Sequence, residues 1–305
     1  MRKINVLSLF DGLSGCRIAL EKIGLEVDNY YSSEIDKYAI QIANKNYPQD
    51  GNNRLGDVLK WEDWNIDWSS IDLVTGGFPC QAWSIAGKQL GDKDERGMLF
   101  WTMLDIMKKV LEHNPKAKFL IENVKMKKEF EEYITLHTES ALGVVYKHLI
   151  DSRLLSAQSR KRYYWTNIED ILQPTDKHIL LNDILDKAIS DRDKSHCIDA
   201  NYGRGTNLKR YLYRGSRQVV FTNKSFMERL YKNKPSIEVC NDLGKKYRDN
   251  WRMLSPLECE LLQTLPINYT EGVTKGNRYR MIGNGWTIDV ICHILEYYKR
   301  EIGLR

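Results

Sequence analysis

The chain lacks any pair of cysteines spaced for chelation. Its six, Cys16, Cys80, Cys197, Cys240, Cys259 and Cys292, are scattered over 305 residues with no C-x-x-C. That argues against a zinc site and against a disulfide scaffold and fits a reducing compartment; no metal is expected. Long apolar runs are missing too: no segment approaches the ~18 apolar residues of a membrane span. The opening MRKINVLSLFDG starts basic and then apolar, like a secretory leader, but Asp11 interrupts it and no small-residue cleavage site follows. It reads as a first strand instead. There is no internal repeat, no low-complexity tract and no G-x-G-x-x-G, so a dinucleotide is not specifically indicated.

What is present is the composition of a soluble globular protein, 42% hydrophobic and 29% charged. The length allows one large domain, or one large and one small. The net charge of +5 is unevenly placed. Residues 201–252 hold thirteen Lys or Arg against four Asp or Glu, a net of +9, so the remainder nets −4. Tyr202, Tyr211, Tyr213, Phe221, Phe226, Tyr231, Tyr247 and Trp251 are interleaved with those charges. Such a mixture suits a polyphosphate backbone and exposed bases; a solvated basic face is the plainer alternative.

The first half alternates strand and helix patterns. INVLSLF, VDNYYSSE, IDLVTGGF, KFLIENV, VVYKHLI and RYYWTNI read as strands, and helical spacing follows Ser14 and recurs over 36–46, 98–113 and 128–142. Alternation of this kind predicts an α/β fold, a mostly parallel Rossmann-like sheet with helices on both faces. From Ile168 to about Trp251 the apparent strands are short and punctuated by Gly, Asn and Lys, which predicts a smaller, mostly β or irregular unit. SPLECELLQTLP then carries a helix start, with Ser255 as N-cap, Pro256 next and Glu258 completing a capping box. A last helix over about 287–300 places Ile288, Ile291, Leu295 and Tyr298 on one face, suited to packing against the first domain. The expected division is 1–167 with 252–305 as one domain and 168–251 as the other.

Three places could carry chemistry. In LSLFDGLSG a strand runs into Gly12 and Gly15 and then a helix, an arrangement that lets a ligand approach the backbone. Glu34, at the end of the second strand, could hold two ribose hydroxyls, and Asp57 could accept from an adenine amino group. Each alone is more simply a turn glycine or a solvated acid; together they describe a nucleoside pocket. Cys80 follows Pro79 where a strand ends and a loop begins, the crevice side of an open sheet. A packed, inert thiol is the plainer reading of such a cysteine. Its context is IENV, with Glu122 and Asn123 at a neighbouring strand end, and QSRKRYYW, with Gln158, Arg160 and Arg162 at alternate positions and therefore expected on one extended face.

Taken in order, these words resemble the C5-cytosine methyltransferases that use S-adenosylmethionine. FDGLSG resembles their cofactor loop, GGFPCQAWS the nucleophile motif, ERGMLF the end of the catalytic loop, ENV the acid motif, QSRKR the arginine motif and RMIGNGW the last cofactor motif. The likeness runs over residues 6–291, except 182–249. GNGW is similar to the animal de novo enzymes, whereas PCQAWSIAGKQ is similar to bacterial restriction–modification members.

The resemblance implies roles. A Cys80 thiolate would attack carbon 6 of cytosine and make carbon 5 nucleophilic. Glu122 would hydrogen-bond the N3 and amino edge, Arg162 would hold the carbonyl oxygen at carbon 2, Arg160 would support the Cys80 loop, and Asn123 and Pro79 would fix the backbone around both. S-adenosylmethionine would be held by Phe10, Asp11, Gly12, Leu13 and Gly15, by Glu34, Ile35, Asp57 and Val58, and by Leu99, Asn284, Gly285 and Trp286. The target base must leave the helix stack. A loop over 81–97, with Gln81, Ser84, Gly87 and Arg96, would then close on the flipped base and its phosphates. Arg204, Lys209, Arg214 and Arg217 of the basic segment would meet double-stranded DNA. A tRNA-modifying branch of the same family, a non-catalytic DNA-binding regulator on this fold and a nicotinamide oxidoreductase are the rivals. The last leaves Cys80, the arginines and the basic segment unexplained. The likeness admits a cognate restriction endonuclease as a partner and a bacterial or phage enzyme working in the cytoplasm. Neither recognition sequence nor oligomeric state is legible.

Overall fold

The apolar run Ile4–Leu9 forms β1, buried along nearly its whole length, as a strand covered on both faces must be. With β2 (Val27–Ser33), β3 (Arg54–Gly56), β4 (Leu73–Gly76), β5 (Lys118–Val124), β6 (Tyr146–Asp151) and β7 (Lys161–Thr166) it builds one sheet of order β3-β2-β1-β4-β5-β7-β6. This is a computed structural model, and it describes residues 3–79, 97–215, 217–233 and 244–304. β1 pairs in parallel with β2 and β4, β2 with β3, and β4 with β5. β7 is inserted antiparallel between β5 and β6. The strand order reverses between β1 and β4, the switch point at which open α/β sheets place their ligands.

The connections are α1 (Gly15–Lys22), α2 (Lys37–Asn46), α3 (Met98–His113) and α4 (Lys128–Leu142). Leu7, Leu9, Val74, Phe119 and Ile121 pack with Phe100, Met103, Met107 and Val110 of α3 and Ile134 of α4. Val6, Leu73 and Leu120, on the alternate pleat positions, are fully buried as well, so both faces are covered. Apart from the three-residue β3, these strands and helices fall within one or two residues of the sequence expectation. Among the described residues no helix is long and apolar enough to cross a membrane.

Contacts divide the chain into two compact units. The first comprises Met1–Asp151, Lys161–Gln173 and Val290–Arg305, and holds the sheet. The second comprises Ser152–Arg160 and Pro174–Asp289. It contains α5 (Leu208–Arg214), β8 (Val219–Phe221), α6 (Lys224–Asn233), β9 (Trp251–Met253), α7 (Pro256–Leu262) and α8 (Lys275–Asn284), and α9 (Ile288–Glu301) begins in it. Short strands are scarce here: β8 and β9 have three residues each and pair antiparallel. Asn207 caps α5 by accepting from Arg210 N–H. Leu208, Tyr211, Val219, Phe221, Phe226, Leu230 and Trp251 close a separate small core. The capping box at α7 forms as the sequence indicates: Ser255 Oγ accepts from Glu258 N–H and Glu258 accepts from Ser255 N–H.

Candidate active site

The turn after β1 is unusual in its backbone. Phe10, Gly12 and Ser14 all take left-handed φ, at 54°, 55° and 56°. Glycine adopts this readily, but a bulky Phe or a Ser does so only under constraint, and such strain concentrates at functional sites. The constraint is visible. Asp11 N–H donates to Ser33 O at 3.0 Å. The buried Asp11 carboxylate accepts from Ser14 Oγ and from Tyr30 Oη, each at 2.7 Å. Burial pushes the Asp11 carboxyl up, against hydrogen bonds from Ser14, Tyr30 and Ser8 and the charge of Arg54. Leu13 and Gly15 are buried, Gly15 as the first residue of α1. Asp11, named from the sequence as a ligand contact, is therefore the brace of the turn. Tyr30 and Arg54, which brace it in turn, carry no sequence signal.

Glu34 stands directly after β2. Its Oε2 accepts from Gly12 N–H, and its Oε1 accepts from the N–H groups of Ile35 and Asp36, all at 2.8 Å. Ile35 beside it is 73% exposed, whereas Val58 is buried. Asp57 follows β3 and accepts from Leu59 N–H at 3.0 Å, so part of its capacity goes to capping the turn after it. Leu99, in the first turn of α3, is half-buried.

The second cluster lies at the ends of β4, β5 and β7. Asn123 Nδ2 donates to Phe78 O at 3.1 Å, and Asn123 Oδ1 accepts from Val124 N–H at 2.8 Å. The amide thus ties β5 to the chain just before Pro79. Phe78 stacks at a tilt on Phe100, with centroids 5.0 Å apart. Because β7 runs antiparallel, Tyr164 lies opposite Glu122 and Arg162 opposite Val124. Glu122 and Arg162 are then diagonal neighbours on one face, and Arg162 Nε meets Glu122 Oε1 at 3.0 Å with both side chains largely buried. Cys80, Gln81, Ser84, Gly87 and Arg96 lie outside the described residues. Of the described thiols, Cys16 is pushed up to about 12 by burial and Cys259 is raised well above its ordinary value by the same cause; both are inert packing residues.

Arg160 departs from the sequence expectation. The strand begins only at Lys161, so Gln158, Arg160 and Arg162 do not share one extended face. Gln158 and Arg160 belong to the second unit and Arg162 to the first. Arg160 is buried and donates to the carbonyls of Ile198, Gly283 and Gly285. Asn284 closes α8 and is exposed, and Gly285 and Trp286 are half-buried.

In the basic segment Arg204 and Arg214 are exposed, Lys209 is half-buried, and Arg217 turns back to donate to Gly205 O at 2.6 Å. The interleaved aromatics mostly do not wait for bases. Tyr202, Tyr211, Phe221, Phe226 and Trp251 are buried, because a small unit must fill its own core; Tyr213 and Tyr231 are exposed. Among the described residues no group of three or more His, Cys, Asp or Glu could hold a metal ion.

A family model described as C-5 cytosine-specific DNA methylase matches residues 4–300. The type II methyltransferase M1.ScrFI of Lactococcus lactis subsp. cremoris is 31% identical, covering 96% of this chain and 77% of that protein. The type II methyltransferase M.NlaX of Neisseria lactamica is 30% identical, covering 97% and 96%. Among solved structures, the Entamoeba histolytica methyltransferase EhMeth superposes with a TM-score of 0.73 at 17% identity, covering 99% of each chain. At that identity the superposition speaks for the fold.

Proposed function

The chain belongs to the C-5 cytosine-specific DNA methylase family, and from that premise we propose that it methylates carbon 5 of cytosine in a specific duplex DNA sequence by way of a covalent bond between Cys80 and carbon 6. The observation that carries this reading is the buried Glu122–Arg162 pair beside Asn123, whose amide fixes the backbone leading to Pro79 and Cys80. An acid and a guanidinium held 3.0 Å apart present a donor–acceptor edge of the kind a pyrimidine ring offers in return.

Cys80 acts as the nucleophile. Its thiolate adds to carbon 6 and the ring electrons move toward carbon 5. Glu122 engages N3 and the exocyclic amino group as charge builds on that edge, and Arg162 exchanges part of its contact with Glu122 for the oxygen at carbon 2. S-adenosylmethionine, when bound, supplies the electrophilic methyl group. The residues of the first unit fit it: a strained turn that presents backbone, a Glu34 carboxylate at a strand end and an exposed apolar Ile35 for a flat ring. Loss of the carbon 5 proton then releases Cys80. The base reaches the site flipped from the duplex, and the exposed Arg204 and Arg214 of the basic segment engage the DNA.

The test is incubation with S-adenosylmethionine and duplexes in which 5-fluorocytosine replaces cytosine, since fluorine cannot leave as the proton does. A denaturation-resistant protein–DNA adduct is expected, absent without cofactor and absent in Cys80→Ala, which should still bind DNA. An adduct that persists in Cys80→Ala overturns the covalent route, and methyl incorporation into tRNA but not duplex DNA overturns the substrate.

A further inference from the structure

Thr206 Oγ1, Arg210 Nε and Arg217 Nε, all within the second unit, are buried atoms that find no hydrogen-bond partner among the described residues. Their side chains are half-buried, unlike those of the exposed Arg204 and Arg214. A guanidinium only donates and does not lose its proton, so each of the two nitrogens calls for an acceptor. A buried donor left unmade costs free energy in the free protein, and a site that receives an acceptor from outside is one reason for a fold to keep that cost.

The three atoms belong to one small neighbourhood. Arg217 Nη1 donates to Gly205 O at 2.6 Å, and Thr206 follows Gly205 directly. Asn207, next along, accepts from Arg210 N–H at 2.8 Å. Both sides of the Arg217–Gly205 contact are fixed through the buried Tyr202. Gly205 N–H donates to Tyr202 O at 3.2 Å, and Tyr202 Oη donates to Gln218 O at 2.6 Å. Gln218 is itself buried; its amide donates to Tyr211 Oη at 2.9 Å and Val219 O at 2.8 Å, and its Oε1 accepts from His196 N–H at 3.2 Å. Immediately before it, Arg217 takes a left-handed φ of 59°, which an arginine adopts only under constraint.

With Nη1 pinned, Arg217 offers Nε and Nη2, two parallel donors along one edge of the guanidinium. In the major groove guanine presents two adjacent acceptors, O6 and N7, and no other base does so. A phosphate can be met by a mobile, exposed arginine such as Arg204 or Arg214; a base edge has to be met by a fork held in place. We infer that Arg217 is a specificity-determining residue that reads a guanine of the target sequence through Nε and Nη2, with Thr206 and Arg210 donating to neighbouring acceptors of the same duplex. The inference deepens the proposed function and rests on its duplex DNA substrate.

The test uses the full chain. Bisulfite sequencing of DNA from cells expressing the parent protein gives the methylated sequence. Each guanine of that site, on either strand, is then replaced singly by 7-deazaguanine, which lacks the N7 acceptor. One replacement should weaken DNA binding by the parent about fivefold and change nothing in Arg217→Ala. The same variant should accept other bases at that position, its discrimination there reduced about tenfold. Arg217→Lys keeps the charge but not the fork, and should relax the same position with the salt dependence of binding unchanged. If Arg217→Ala instead weakens binding alike on all sequences, with a shallower salt dependence and every base preference intact, the arginine meets a phosphate and the inference falls. It falls too if no single 7-deazaguanine distinguishes parent from variant. Should Arg217→Ala not fold, judged by its thermal midpoint, Arg217→Lys decides by the same comparison. A parent that methylates no duplex cytosine removes the proposed function and the inference with it. A parent that methylates a defined sequence but is indifferent to every 7-deazaguanine leaves that function standing and removes only the inference.

Discussion

Glu258 is 2% exposed and yet held as an anion. Burial alone would raise its carboxyl, but hydrogen bonds from Arg252 and from the N–H groups of Ser255 and Asp186 outweigh it, and the group titrates below its ordinary range. Arg252 grips one oxygen with each terminal nitrogen, both at 2.7 Å. A carboxyl whose pKa falls on folding adds stability above its unfolded pKa and loses that contribution as the pH falls through the folded one. Arg252→Ala should therefore cost about 2–3 kcal/mol at neutral pH, less than a fully enclosed pair because Arg252 is partly exposed. In urea titrations the gap from the parent protein should narrow below pH ~4, as the abandoned carboxylate takes up a proton; a gap that stays constant with pH would refute the account. At this scale the sequence is unevenly legible. Cys80, Glu122 and Arg162 stand out because short words such as GGFPCQ, ENV and QSRKR carry their chemistry in contiguous residues. Thr206 and Arg210 do not, since a threonine and an arginine in a basic segment look like any solvated pair until their buried, unpartnered atoms are seen in space.

Elements are most legible where local and tertiary preferences agree. β1, β2, β5 and the helices α2, α3 and α4 fall where their periodicity puts them. α7 shows why its start was so legible: Ser255 and Glu258 satisfy each other's backbone N–H groups, and Pro256 needs no partner. Ser255→Ala should cost about 1 kcal/mol in a chemical unfolding titration, and Ser255→Asp, which keeps an acceptor, should recover most of it. A loss under a few tenths would mean the Arg252 contact alone secures that end. The alternating Gln158–Arg160–Arg162 pattern misled because alternation assigns faces only inside a strand. Upstream of Lys161 the chain passes through a tight turn at Ser152–Leu154 and a single bridge between Gln158 and Ser195.

For the molecule as a whole, the alternation of strands and helices gives the class of fold but not the order of its strands. Nothing in RYYWTNI announces that β7 inserts between β5 and β6 with its direction reversed, because that choice is made by tertiary pairing. Charge distribution, by contrast, is legible at once: the net of +9 over 201–252 is a property of the sequence. DNA affinity should fall steeply with added salt, linearly in logarithmic terms. Arg204→Ala and Arg214→Ala should each reduce that slope by about one if each releases a phosphate contact. Slopes unchanged in both variants would move the DNA interface elsewhere. The reversed strand has one more consequence. A slip of β7 by two positions leaves every apolar side chain on its own side of the sheet, so cohesion survives, but it carries the guanidinium of Arg162 about 7 Å away from its carboxylate. Such a protein would keep its pattern of buried and exposed faces and still lose the charge pair, so a folded sheet alone is a poor proxy for competence.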